Sequence, residues 1–439
     1  MTSVVKPTHF AAGLCWLLLV APLGAQQRAV TLAEAIAMAR RVQPAVVQAR
    51  GALAVAGSDV RSAYSAYLPS LSGSAGAGQS FFPQAQSRLD PQTGELISGL
   101  NSNKSVNFGI NSSLILFDGF RREATIRSAK ADREASEASL ADQEAQVALA
   151  TSLEFFNALA GQQLVRAREA GITRAEEQFK IAVAKLSTGA ATVSDSLRAV
   201  VTLGEARVQL LEAERQLATA EANLARLIGE QGRISAVDDP SLYSTGMDLD
   251  PDGLLQEAIE RSPRILASDA NVRSARAQVT AAKSGYWPSL SLSANTQLSG
   301  SQLDDYDLQR TSNINVGLSW TLFDRFNRER QVDQSSVLFE NVAATLADDR
   351  RQIEASLTAQ LAALTTARVR IDVTKLSLEA AQADLRVQLE RYRLGSITYV
   401  EVLTSQESLT RAEEAAVSAG VDFLRAKAQI EAIIGRPLS

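Results

Sequence analysis

Two stretches of the chain alternate apolar and polar residues in a sequence whose remaining pattern is helical. In residues 313–326 (NINVGLSWTLFDRF) apolar side chains occupy every second position, and the first charge is Asp324. Residues 105–117 (SVNFGINSSLILF) follow the same pattern. Such alternation predicts a β-strand with one apolar face, because successive side chains point to opposite faces. Both strands continue directly into long, charged segments of helical composition.

The chain contains two copies of one pattern. LFDGF at 116–120 returns as LFDRF at 322–326, an offset of 206, and YLPSL at 67–71 returns as YWPSL at 286–290, an offset of 219. Pro44 and Pro263 are also separated by 219 residues. Motifs repeated in a fixed order indicate a tandem duplication of one structural unit.

Each repeat is predicted to contain the same elements in the same order. A helix of about 35 residues (32–67 and 254–286) precedes two strands, a very long helix, a break at a glycine and a shorter return helix. We assign the first repeat to 26–230, a connector to 231–252 and the second repeat to 253–439. Strands are expected at about 70–80, 105–117, 289–299 and 311–323. Long helices are expected at 119–188 and 325–394, and return helices at 192–229 and 398–434.

A seven-residue ladder of mostly apolar residues runs along each long helix. It comprises Leu357, Leu364, Ile371, Leu378, Leu385 and Tyr392 in the second repeat, and Ala158, Val165, Ile172, Phe179 and Leu186 in the first. A sustained heptad predicts coiled-coil packing, because a period of 3.5 keeps one stripe against a partner helix. Asp118 and Asp324 precede the long helices and are predicted to cap them.

Composition narrows the functional classes. The 439 residues carry a formal charge of -5 with both signs finely mixed, so no concentrated basic face for nucleic acid is expected. Residues 1–25, with Lys6 before a short apolar run and a small-residue exit, resemble a secretory signal cleaved after Ala25. His9 and Cys15 are the only histidine and cysteine, so the mature chain would lack disulfides, His- or Cys-based catalytic pairs and His/Cys metal sites.

The predicted strands fit a membrane. They are free of charge and reach the roughly 9–11 residues that a membrane-spanning strand needs. Aromatic residues gather where strands meet helices, as at a membrane interface: Tyr64, Tyr67, Phe117, Phe120, Tyr286, Trp287, Phe323 and Phe326. We expect these apolar residues of the last strand to face lipid: Ile314, Val316, Leu318, Trp320 and Leu322. Four strands cannot close a barrel, which needs at least about eight, so several subunits would have to combine.

Taken in order, the duplicated motifs resemble the TolC-like outer-membrane efflux proteins (outer membrane factors). The resemblance covers essentially all of the mature sequence and rests on LAEAI with Pro44, YLPSL/YWPSL, LFDGF/LFDRF and YRLGSITYVEVL at 392–403. It implies a mainly α protomer with a small β part, made of long coiled-coil helices and two β-hairpins. Three protomers would form a 12-stranded outer-membrane β-barrel on a periplasmic α-helical barrel.

The resemblance also implies a function and partners. The homotrimer would be the exit duct of a tripartite efflux pump or a type I secretion system in a Gram-negative outer membrane. A periplasmic adaptor and an inner-membrane transporter would be its partners, outer-membrane lipid would surround it, and it would have no enzymatic activity and no cofactor. The cargo and the pump are not identified by the sequence.

Site residues carried over from the family lie at the periplasmic end. Asp195 and Glu401 would line the entrance, and Tyr392 would take the place of the family's tyrosine. The adaptor-docking turns would be Thr188, Gly189, Ala190, Leu394, Gly395 and Ser396. Two departures from the family concern the contacts that keep the entrance closed. Ile397 stands where some members have arginine, and Thr404 stands where some have a second aspartate.

Alternatives to these assignments remain open at the level of sequence. Asp195 and Glu401 could be helix-start charges that favour the helix dipole. The turn glycines could supply positive φ and nothing more. For the whole chain, the alternatives are a soluble periplasmic coiled-coil scaffold, in which the sheet packs on a helix, and a carboxylate-based hydrolase. A hydrolase would need two acids converging in a pocket, whereas the acids here are spread along helices.

Overall fold

The computed structural model describes residues 28–81, 88–89, 92, 94, 96–97, 102–243, 250–300 and 308–438; the predicted signal segment and connector residues 244–249 lie outside this part. The first repeat comprises β1 Arg28–Val30, α1 Leu32–Val42, α2 Pro44–Ser65, β2 Ser70–Phe81, β3 Arg88–Leu89, β4 Leu96–Ile97, β5 Ser102–Phe117, α3 Arg121–Ser187 and α4 Val193–Ile228. There follow β6 Ile234–Ala236, a 3₁₀ turn Pro240–Tyr243, α5 Pro251–Arg261, α6 Pro263–Lys283, a 3₁₀ turn Ser284–Tyr286, β7 Ser289–Gly300, β8 Gln309–Ser319, α7 Asn327–Arg393 and α8 Tyr399–Ile434.

The first helix of each repeat is two helices, so the prediction of one continuous helix at 32–67 and at 254–286 was wrong. The breaks fall at Gln43 and Ser262, whose ψ of 126° in both cases is outside the helical range. Each is followed by a proline at the first helical position. Proline disfavours helical backbone in the preceding residue, which explains the break.

The long helices α3 and α7 each contain 67 residues and therefore extend about 100 Å. Each ends at a tight turn in which a glycine has positive φ, +75° at Gly189 and +80° at Gly395. The chain then reverses into α4 or α8, each of 36 residues. The return helices reach about halfway back, and α2 and α6 flank the remaining half of the long helices.

The long helices have different numbers of neighbours. α3 packs on α4 and α8 near the turns, and on α2 and α6 towards the sheet. α7 packs on α8 and α6. The short helix α5 contacts all three of these helices. The heptad ladder contributes to these contacts, because Ala158, Leu357, Leu364 and Leu385 are buried. Coiled-coil packing by the ladder is therefore confirmed at these positions.

The main hydrophobic core lies midway along the long helices. Phe155 and Leu159 of α3 meet Phe423 and Ile430 of α8 there, all nearly inaccessible to solvent. Strand β6 pairs in parallel with β1 and buries Ile234 in the same core. The described part of the predicted connector is thus packed against the body and joins the start of the first repeat to its end.

The sheet has four antiparallel strands in the order β2-β5-β7-β8. Its register places Leu71, Ile110, Leu292 and Val316 on one face, hereafter the apolar face. The opposite face, hereafter the polar face, carries small and polar residues. These are the alternate residues of 70–80, 105–113, 289–299 and 309–319.

The structure corrects two details of the predicted strands. The pairing of β5 with β7 slips between Ile115 and Phe117, so Leu116 is the extra residue of a bulge and Phe117, paired with Leu290, takes the place on the apolar face predicted for Leu116. Strand β8 ends at Ser319 instead of 323. Trp320 therefore lies beyond the strand, where its Nε1 donates a hydrogen bond to the Tyr286 carbonyl at 3.3 Å. Across the described helices, none combines the length and apolarity needed to cross a bilayer.

Candidate functional site

The predicted interface aromatics lie where the sheet meets the helices. Phe117 and Phe120 meet edge to face with centroids 5.6 Å apart, and Phe323 and Phe326 repeat this contact at 5.8 Å. The other members of the set are exposed: Tyr64, Tyr67, Tyr286 and Trp287. Exposed aromatic rings at one end of a sheet are typical of a membrane interface, and the interfacial role stays a prediction here.

Asp118 and Asp324 each lie three residues before a long helix begins, and their carboxylates bond to its first turn, as the capping prediction requires. The Asp118 carboxylate accepts hydrogen bonds from the backbone N–H groups of Arg121 at 3.2 Å and Arg122 at 3.1 Å. Asp324 accepts from the Arg328 N–H at 3.0 Å. These bonds satisfy donors that a helix N-terminus leaves free, and the negative charge favours the helix dipole.

At each of the two junctions, one arginine joins the strand to the helix. The sequence analysis did not identify either arginine. Arg122 donates to the carbonyls of Ile115 at 2.7 Å and Leu116 at 2.9 Å, while its Nε lies 3.4 Å from Asp118. Its guanidinium also lies over the Tyr67 ring, 4.5 Å from the centroid. The planar fork of arginine suits several acceptors at once.

Arg328 makes the equivalent contacts in the second repeat. It donates to the carbonyls of Thr321 at 3.0 Å and Leu322 at 3.2 Å, pairs with Asp324 and lies over Tyr286. Arg122 and Arg328 are 206 residues apart. The signal was therefore present in the sequence, since extending the LFD-x-F comparison by two residues reaches both arginines.

A tyrosine–glutamate bond crosses the same junction. Tyr67 Oη donates to Glu123 Oε1 at 2.6 Å. This bond lowers the pKa of the Glu123 carboxyl and raises the pKa of the Tyr67 phenol. In the second repeat, partial desolvation of the Tyr286 phenol is the first cause that raises its pKa, and the charge of Glu329 adds to it.

The predicted adaptor-docking turns are exposed at the far end of the molecule. In the first turn, the Ala190 N–H donates to the Lys185 carbonyl at 2.8 Å, and in the second the Ser396 N–H donates to the Arg391 carbonyl at 2.9 Å. These bonds and the positive φ of the glycines form the same helix-ending motif twice. Leu394 at the tip is 83% exposed, and the other predicted docking residues are exposed too: Thr188, Gly189, Ala190, Gly395 and Ser396.

Asp195 and Glu401 each form a capping box at the start of a return helix. Asp195 Oδ2 accepts from the Thr192 backbone N–H at 3.1 Å and from its hydroxyl at 2.8 Å. Glu401 Oε1 accepts from the same groups of Thr398, both at 3.5 Å. The helix-start interpretation is thus confirmed, and a gating role for these carboxylates stays a prediction.

Tyr392 lies at the centre of a second, smaller hydrophobic cluster near the turns. Its ring is 5.5 Å from that of Tyr399, and the cluster includes Ile397. Burial raises the pKa of the Tyr392 phenol, and the charge of Asp195 acts in the same direction. The structure therefore brings Tyr392 close to Asp195, while Ile397 contributes apolar packing where some family members have arginine.

Lys185 supplies a positive charge at this place, and the sequence reading did not identify it. Its ammonium lies 4.4 Å from the centroid of the Tyr392 ring and donates a hydrogen bond to the Tyr392 carbonyl. The bond joins the last turn of α3 to the last turn of α7. The hydroxyl of Thr404, the second departure, donates to the Val400 carbonyl of its own helix at 3.1 Å. Among the described residues, no group of three or more carboxylates, histidines or cysteines is arranged to hold a metal ion.

Known proteins share this architecture. The structure of CusC superposes with a TM-score of 0.82 at 17% identity, covering 92% of each chain. VceC of Vibrio cholerae, an outer membrane protein, superposes with a TM-score of 0.76 at 17% identity, covering 93% of this chain and 97% of that one. At such identities these likenesses establish the fold.

Sequence relatives point to the same group. The outer membrane efflux protein BepC of Brucella suis is 23% identical over 411 residues, which are 92% of this chain and 85% of BepC. Protein CyaE of Bordetella pertussis is 28% identical over 393 residues, 88% of this chain and 80% of CyaE. The family model described as outer membrane efflux protein matches residues 35–230 and 254–436, the two repeats. The chain therefore belongs to the outer membrane efflux protein family, located in the outer membrane with a large helical part on the periplasmic side.

Proposed function

We propose that three copies of this chain form a channel that carries solutes from the periplasm across the outer membrane. The proposal rests on the different character of the two faces of the sheet. One face is apolar and exposed, with Ile314 at 77% and Leu318 at 72%, and the other is polar. Such a sheet suits lipid on one side and water on the other. Within the described residues β2 and β8 each have one strand neighbour, so both edges can pair with another copy.

The duplicated helices support the same assembly. The offset of 206 carries α3 onto α7, and the offset of 219 carries α2 onto α6. The α3–α6 and α3–α8 contacts within the chain therefore predict α7–α2 and α7–α4 contacts between chains. The apolar residues that such contacts would cover are exposed on α2, α4 and α7: Val55, Val200, Val201, Val208, Leu211, Val369, Val373 and Leu376. Exposed apolar patches of this kind mark protein interfaces.

Engineered disulfides test the assembly. The Ser128 and Ser274 hydroxyls lie 3.0 Å apart, and the two offsets map this pair onto Gln334 and Val55. With Cys15→Ser, the double variant Gln334→Cys/Val55→Cys is expected to form covalent trimers on oxidation, because these residues would meet across the subunit contact.

The matched control is Ser128→Cys/Ser274→Cys, which should close a bond within one chain and leave the monomer mass unchanged. Non-reducing electrophoresis after oxidation in intact envelopes distinguishes the two. A cross-linked control beside a Gln334→Cys/Val55→Cys variant that remains monomeric would contradict the assembly.

We further propose that the channel is the exit duct of a tripartite efflux pump or a type I secretion system. The named relatives include BepC and CyaE, and the structural neighbours are outer-membrane channels. A periplasmic adaptor would bind the exposed turns 188–190 and 394–396, and an inner-membrane transporter would supply the energy. The chain itself would catalyse no reaction.

At the periplasmic end we propose that Asp195 and Glu401 make the channel prefer cations, since rings of carboxylates attract them. The double variant Asp195→Asn/Glu401→Gln should move the cation-to-anion permeability ratio in planar bilayers towards unity. The control is Asp252→Asn, which removes another first-turn carboxylate far from the turns, at the start of α5. Equal permeability ratios in the parent protein, the double variant and the Asp252→Asn control would contradict a role of these carboxylates in ion selectivity.

A further inference from the structure

We infer that the polar face of the sheet is a charge-neutral channel wall that passes hydrophilic solutes of either charge without sorting them. This inference rests on the proposed function, because it takes the polar face to line water. It assigns a property to the strand-built part of the duct that the helical part does not share. The cargo class that fits such a wall is hydrophilic, and includes both anionic and cationic molecules.

The register of the four strands supplies the first argument. Reading across the sheet, Ser72, Asn111, Asn295 and Asn313 form one row. The other rows of the polar face that begin at residues 70–78 consist of serine, threonine, asparagine, glutamine or glycine. Ile115, beside the bulge, is the one apolar residue on this face among the described strand pairs.

Hydrogen bonding on this face supplies the second argument. Ser70 Oγ lies 2.7 Å from Ser113 Oγ and donates to the Ser113 carbonyl at 3.2 Å. Ser72 and Ser291 donate to carbonyls of the adjacent strands at 3.4 and 3.5 Å. Hydroxyl groups engaged with their own sheet offer a solute fewer free donors, so the wall is wettable but binds solutes weakly.

The charges on the four-stranded sheet β2-β5-β7-β8 lie off its polar face. Lys104 and Arg310 have the parity of the apolar face and sit near the ends of β5 and β8 that are remote from the helices. The periplasmic end, by contrast, carries Asp195, Glu401 and Lys185 within a few residues of the turns. Because rings of charged side chains confer ion selectivity, selectivity should arise in the helical part and not along the strands.

Charged thiol reagents measure the potential at the wall directly. In the full-length protein with Cys15→Ser, Asn315→Cys places one thiol per chain on the polar face. Positively charged MTSET and negatively charged MTSES should modify it with a rate ratio within about threefold of that for a free thiol in the same buffer. Val316→Cys, the adjacent residue on the apolar face, is the matched control and should be protected by lipid from both reagents.

Adding Asn313→Asp to Asn315→Cys calibrates the measurement. A carboxylate about 7 Å away in water-like surroundings changes the local concentration of a monovalent ion about threefold, so the rate ratio should shift roughly sevenfold in favour of MTSET. A ratio for Asn315→Cys more than about tenfold from the free-thiol value would overturn the neutral wall. An unchanged ratio after Asn313→Asp would overturn it as well, because charges from elsewhere would then set the potential.

The same experiment separates this inference from the proposed function. If Val316→Cys reacts and Asn315→Cys resists both reagents, the polar face does not line water and both proposals fail. If Asn315→Cys reacts but its ratio is strongly skewed, the channel stands and only the neutral wall is rejected. Repeating the measurement with MTSET and MTSES on Asn295→Cys extends the result to a second strand, β7.

Discussion

The two repeats share their elements and differ in what surrounds them. α3 packs against four other long or half-length helices of its own chain, α4, α8, α2 and α6. α7 packs mainly against α8 and α6, and its surface residues Val369, Val373 and Leu376 are more than half exposed. A duplicated sequence thus yields one copy that is enclosed by its own chain and one whose outer residues are free for a partner.

The same difference recurs at the strand-to-helix junctions. Gly119 and Arg325 occupy equivalent positions with positive φ, +69° and +61°. A Cβ at Gly119 would lie 2.7 Å from the Ser284 carbonyl oxygen and 2.7 Å from the Trp287 Cβ, both of the second repeat. The first junction is closed by its neighbour and requires glycine, whereas the second tolerates arginine in a backbone conformation that costs an L-residue roughly 1–2 kcal/mol.

Substitution at this pair should give the largest effect. Gly119→Ala is expected to destabilise the protein by about 3 kcal/mol or more, because the added methyl meets backbone and the positive φ becomes strained. Arg325→Ala should change the stability by less than about 1 kcal/mol, since a side chain is already accommodated there. Thermal unfolding in detergent followed by circular dichroism measures both, and similar losses at the two positions would refute the difference between the junctions.

A smaller effect is expected at the periplasmic end, where Lys185 and Arg391 are equivalent at the offset of 206. Lys185 holds Tyr392, while Arg391 is exposed. Lys185→Met should weaken the α3–α7 contact by about 1.4 kcal/mol, which is a tenfold shift towards an open entrance and a higher bilayer conductance. Arg391→Met is the control and should conduct like the parent. Unchanged conductance in Lys185→Met would exclude the lysine from holding the entrance closed.

The smallest effect concerns pH. The pKa of Glu123 is lowered by Tyr67, so the bond stabilises the folded state above the ordinary carboxyl pKa of 4.5 and its contribution disappears as pH falls through the lowered value. The pKa of Tyr67 is raised, so the contribution is also lost as pH rises through that raised value, above 10. Tyr67→Phe should therefore lower the unfolding temperature slightly at pH 7, and by progressively less as pH falls below 4.5.

Tyr286→Phe is the comparison for this prediction. The pKa of Tyr286 is raised first by partial desolvation of its phenol, so the effect of removing this hydroxyl should depend less on the ionisation of a glutamate between pH 2 and 7. Unfolding temperatures of both variants, measured over that pH range, show which tyrosine contributes stability that depends on an ionised glutamate. A Tyr67→Phe difference that persists unchanged at low pH would show that the bond to ionised Glu123 does not contribute.

Local patterns predicted much of this molecule. Two-residue alternation identified the strands, the heptad ladder identified the coiled-coil helices, and the LFD and PSL motifs revealed the duplication. The break between α1 and α2 could have been predicted too, since Pro44 and Pro263 disfavour helix in the residue before them. Arg122 and Arg328 were accessible through the same offset that links the LFD motifs.

Other features depend on residues far apart in the chain, and only the tertiary structure decided them. The bulge at Leu116 depends on how β5 pairs with β7, whose partner residues come more than 170 positions later in the chain. Lys185 meets Tyr392 because two hairpins end side by side, and Gly119 must be glycine because the 3₁₀ turn Ser284–Tyr286 lies against it. The sequence determined the elements and their faces because periodicity is a local property, whereas packing between the repeats follows from the fold as a whole.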